Sequence, residues 1–118
     1  MQAGYRHIDT AAVYENEEEI GRVLKRWFND KKLKREDLFV TTKLAASSLY
    51  ADQVEPCLKT SLEKLQLDYV DLYLLHFPVA FRTNEKGEVV SGSTDHEAVW
   101  KVIKHYRSKC FWFLDVTL

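Results

Sequence analysis

Asp9, Lys43 and His76 each close a short, β-prone apolar run, in GYRHID, LFVTTK and YVDLYLLH. The intervals are 43 − 9 = 34 and 76 − 43 = 33 residues, close to the roughly 30 per unit expected when about 250 residues form eight βα units in a closed barrel. Parallel strands repeating at that pitch end on one rim, and the rim at the strand C-termini is where such barrels carry out chemistry. A carboxylate, an ammonium and an imidazole would converge there, a set able to donate and accept protons, and Tyr14 adds a phenol. Singly, each residue has an ordinary reading. An Asp after a strand can cap the next helix, a Lys at a strand end can point to solvent, and a His in LLHFP can be a satisfied core residue. Repetition at matched intervals is what points to a site.

The elements needed to hold these side chains are legible along the chain. Strands are expected over residues 5–9, 38–42 and 70–75, the last nearly continuous in apolar residues, as for a parallel strand covered on both faces. Between the first two, Ile20, Val23, Leu24, Trp27 and Phe28 form one helical face over residues 17–31, with Glu17, Glu18 and Glu19 suited to the positive N-terminus. A second helix over residues 52–65 carries Val54, Leu58, Leu62 and Leu65 on one stripe, with Pro56 in its early turns. Residues 81–93, containing NEKGE and SGS, read as a surface excursion or short hairpin. Thr94 and Glu97 suggest a capping box opening a third helix with Val99, Val102, Ile103 and Tyr106 on one side. Alternating strands and helices imply a parallel α/β architecture.

Composition narrows the classes. With 118 residues, 46% apolar and 13% aromatic, the chain suits one packed domain rather than a disordered segment. A net charge of −1 leaves no basic footprint for nucleic acid, and KKLKRED mixes both signs. LYLLHFPVAF falls short of the roughly 20 apolar residues that span a bilayer, so no membrane partner is expected. Cys57 and Cys110 form no CxxC pair and match no metal spacing; no metal is expected, and a reducing, cytoplasmic compartment is the default.

At GYRHIDTAAVYENEEEIG the chain resembles the aldo-keto reductases, and DLFVTTKL and LDYVDLYLLHFP resemble two further blocks of that family in order. The resemblance covers about residues 3–103. It implies a partial (β/α)₈ TIM barrel of about three βα units, the family's second to fourth strands. It further implies NADP(H)-dependent interconversion of carbonyls and alcohols by a tetrad of Asp9, Tyr14, Lys43 and His76. Asp9 would also touch the nicotinamide ribose, and Val13, His76 and Phe77 would line the pocket for a small carbonyl substrate. Two residues after the lysine, Ala45 stands where related reductases often carry tryptophan, which would widen that wall.

The residue types fit those roles. Hydride arriving at a carbonyl carbon builds charge on oxygen, so a proton donor has to lie within hydrogen-bond reach. Tyr14 is the candidate. Lys43 would stabilise the charge left on the phenol oxygen, Asp9 would hold Lys43 in register, and His76 would donate to the carbonyl and orient it. No side chain supplies hydride, so a cofactor has to.

The match fades after WKVI, dividing the chain into a barrel part, 1–103, and a divergent tail, 104–118. The family segments that hold pyrophosphate and the 2′-phosphate have no counterpart in the matched blocks, and no GxGxxG replaces them. The chain is therefore expected to be a truncated reductase with impaired activity and no NADPH binding by itself, prone to self-association through open sheet edges. In the alternative reading it is a non-catalytic truncated isoform or a partner-binding fragment. The tail's apolar run, residues 110–114, would pair beside the third strand or promote association.

Overall fold

The computed structural model describes residues 3–106. Along the chain come β1 (His7–Asp9), α1 (Glu17–Asn29), β2 (Phe39–Leu44), α2 (Ala51–Leu65), β3 (Leu72–Leu75), β4 (Ala80–Thr83), β5 (Val89–Gly92) and α3 (His96–Tyr106). Strands β1, β2 and β3 form a parallel sheet in that order. Strands β4 and β5 form an antiparallel hairpin, the second of the two forms the sequence left open after β3. The apolar run of residues 110–114, expected to pair beside β3 or promote association, lies outside the described residues.

Alternation along the strands decides what each residue faces. Ile8, Val40, Leu44, Tyr73 and Leu75 pack with Leu24, Val54, Leu58, Leu65, Val99 and Ile103 of the helices in one core. Each fully buried Leu or Val contributes roughly 1.5–3 kcal/mol relative to exposure. Register pairs Asp9 with Thr41 and Lys43 with Leu74. With a period of two, Asp9, Thr41, Lys43, Leu74 and His76 therefore share the opposite face. That face is partly open among the described residues, with Phe39 45% exposed but Thr41 buried.

Two contacts set how the layers meet. Gly21 lies against the end of α2, where a Cβ would sit 2.2 Å from the Lys64 carbonyl oxygen. At the other rim the Arg35 guanidinium stacks 3.8 Å over the Tyr69 ring and donates to Asp71 Oδ2 at 2.7 Å. Asp71 Oδ2 also accepts the Val40 N–H at 2.7 Å, tying the entry to β3 to the start of β2.

Four details differ from the sequence reading. Strand β2 runs through Lys43 to Leu44, so the lysine projects from within the strand. Val23, placed on the buried face of α1, is 42% exposed, because it flanks the uncovered outer edge of β1. The expected Thr94–Glu97 capping box does not form. Asp95 caps α3 instead, its Oδ1 accepting the Ala98 N–H at 2.9 Å, while the Thr94 hydroxyl donates to the Leu49 carbonyl and Glu97 pairs with Lys101. Glu17, read from the sequence only as suited to the helix N-terminus, is buried. Its carboxylate accepts hydrogen bonds from Thr42 Oγ1 at 2.6 Å and Ser61 Oγ at 3.1 Å, locking α1 to β2 and α2.

Candidate active site

The three strand ends meet at one rim. Asp9 is the last residue of β1, Lys43 is the penultimate residue of β2, and His76 directly follows β3, its N–H bonded to the Leu44 carbonyl at 3.1 Å. Tyr14 ends a single 3-10 turn (Ala12–Tyr14) after β1, and Glu15 reverses the chain there in the left-handed region with φ 55°. The turn is held from below. Thr10 donates its hydroxyl to Asn16 Oδ1 at 2.7 Å and its N–H to the Thr41 carbonyl at 2.9 Å.

Lys43 is the hub. Its side chain is 13% exposed and forms an ion pair with Asp9, whose own side chain is 54% exposed. It also donates to the Thr10 carbonyl at 3.1 Å. The ammonium lies 5.1 Å from the centroid of the Tyr14 ring, and that ring meets His76 edge-to-face at 5.6 Å. An ammonium anchored twice beside a phenol ring is a charge arrangement that proton donation can use.

His76 Nδ1 is sealed from solvent with no hydrogen-bond partner among the described residues. Burial holds the ring below the ordinary histidine range, the Lys43 ammonium adds to that, and the Asp9 carboxylate opposes it. Starting from about 6.5, a lowered value leaves His76 neutral at pH 7, with one N–H to donate. Phe77 stacks on the imidazole at 5.1 Å with 17° between planes, and Phe81 lies 6.2 Å from Phe77.

Phe77, Val13 and Tyr14 are each about half exposed, so apolar surface borders the polar group. Ala45, half-buried, leads into the next 3-10 turn (Ala46–Ser48). Thr10 and Asn16, which brace the Tyr14 turn, were not singled out from the sequence, since their partners follow only from the folded chain. Among the described residues no cluster of three or more His, Cys, Asp and Glu could hold a metal ion, and no helix is long and apolar enough to cross a membrane.

Comparison with known proteins agrees with this architecture. The chain is 44% identical over 111 residues to human "Aldo-keto reductase family 1 member C4" and, over the same length, to "Dihydrodiol dehydrogenase 3" of Bos taurus, in each case covering 88% of this chain and 34% of the relative. It thus spans about a third of the curated relatives it matches. The solved aldose reductase of Schistosoma japonicum superposes with a TM-score of 0.84 at 36% identity, over 94% of this chain and 39% of that one. The sheet and its helices are thus part of a TIM barrel. The Aldo/keto reductase family model matches residues 1–109, and the chain belongs to that family.

Proposed function

We propose that this chain carries the proton-donating and carbonyl-polarising half of an NADPH-dependent reductase that converts aldehydes or ketones to alcohols. The convergence of Lys43 on Asp9, on the Thr10 carbonyl and on the Tyr14 ring supports it best. The substrate carbonyl would lie against Tyr14 and His76, with Val13 and Phe77 flanking its apolar part. Neutral His76 donates to the carbonyl oxygen and fixes its direction. Tyr14 gives up its proton as charge grows on that oxygen, and Lys43 stabilises the phenolate left behind. Asp9 keeps Lys43 from swinging to solvent.

The nicotinamide cofactor supplies the hydride when bound. The half-exposed Asp9 carboxylate, one oxygen of which is engaged by Lys43, suits a sugar hydroxyl at the reacting end. The chain has no glycine-rich phosphate loop, so the proposal assigns phosphate recognition to parts of the barrel beyond these three units.

A chimera tests the reading. Residues 3–106 replace the matching third of a relative such as the human protein, and carbonyl-dependent NADPH oxidation is followed by absorbance. Turnover above the background without carbonyl is expected. A folded, cofactor-binding chimera with no turnover on any aldehyde or ketone would overturn the proposal.

A further inference from the structure

The loop between β2 and α2 begins directly after Leu44 and grips the base of the β4–β5 hairpin. Ala80 and Gly92 are the register pair at that base, and Ala80 is fully buried. A methyl group at Gly92 would lie 2.6 Å from Tyr50 Oη; only a residue without a Cβ leaves the phenol its place. Tyr50 is half-buried, packs against the core, and directly precedes α2. Two residues after Gly92, the Thr94 hydroxyl donates to the Leu49 carbonyl. Phe81 follows Ala80, and from it the rings run to Phe77 and on to His76.

We infer that Tyr50, seated on Gly92, is a positioning residue that holds the hairpin so that Phe81 keeps Phe77 stacked on His76. The inference rests on the functional reading above for its importance, since His76 orients the carbonyl there. Its physical content is independent of turnover. The same loop leaves the strand that carries Lys43, so the lysine and histidine sides of the site share one anchor.

The test is made on the 118-residue chain with diethyl pyrocarbonate, scoring carbethoxylation of each histidine by peptide mass spectrometry. Alkylation of Cys57, half-buried on α2, reports opening of the core in parallel. Gly92→Ala should raise the His76 rate severalfold, toward that of Phe77→Ala, while Cys57 stays as protected as in the parent. Adding Tyr50→Phe to Gly92→Ala removes the oxygen that the methyl would strike and should return His76 toward the parental rate. Should Gly92→Ala fail to fold, Tyr50→Ala, which only removes atoms, carries the same expectation for His76. Unchanged His76 reactivity, a rise matched by Cys57, or a double variant no better than Gly92→Ala would each overturn the inference. Loss of catalysis alone would leave this result untouched.

Discussion

A sealed imidazole nitrogen and a shielded ammonium are the two residue-level observations on which the proposed chemistry depends. The three ionisable strand ends were legible because each interrupts an apolar run and parallel strands repeat at a fixed pitch. Asn16 and Glu17 were not legible in their roles. Asn16 meets Thr10 six residues away, whereas Glu17 meets Thr42 and Ser61 25 and 44 residues away, distances that only packing closes. The lowered His76 value has a consequence for stability. In the unfolded chain histidine titrates near 6.5, so as pH falls below that the unfolded state takes up the proton first. Stability from the neutral ring is complete above about 6.5 and declines as pH drops toward the lower folded value. Urea midpoints between pH 8 and 5 should fall less steeply for His76→Gln than for the parent; parallel curves would show that burial does not depress this group.

Helices α1 and α2 meet through a glycine, and here the element scale decides the geometry. The 3.6-residue stripes placed both helices to within two residues of their observed ends, and Gly21 stood in the sequence without a stated reason. Its reason is the Lys64 carbonyl and the Leu65 backbone, all within 2.8 Å of where a Cβ would be. Backbone cannot rotate aside as a side chain can. Gly21→Ala should therefore destabilise by about 1–3 kcal/mol, even though alanine favours a helix by about 1 kcal/mol over glycine. Urea unfolding checks this, and a variant as stable as the parent would mean that the helices separate freely. The α3 cap was misplaced by one residue because Thr94 and Asp95 are both good cap formers, and the competing Leu49 carbonyl, 45 residues away, took the threonine.

At the scale of the molecule, the described sheet has free edges at β1 and β3 and an inner face that no helix covers. An apolar groove of about 300 Å³ runs beside β1, lined by Ile8, Ile20, Val23, Leu24 and the stem of Glu19. Barrels remove edges by closing, and unpaired edges recruit other strands. The isolated chain should associate in a concentration-dependent way across the micromolar range, read by sedimentation velocity; a single monomeric species throughout would contradict this. It should also show no saturable NADPH binding by calorimetry, since the proposed Asp9 contact offers too little by itself; micromolar binding would show that these three units hold the cofactor. The central claim is that Tyr14, backed by Lys43, donates the proton. It is tested most directly by kcat of the chimera with Tyr14→Phe, which keeps the ring and deletes the proton. A loss of about 100-fold or more is expected, with NADPH affinity unchanged; turnover within a few-fold of the parent would contradict the assignment.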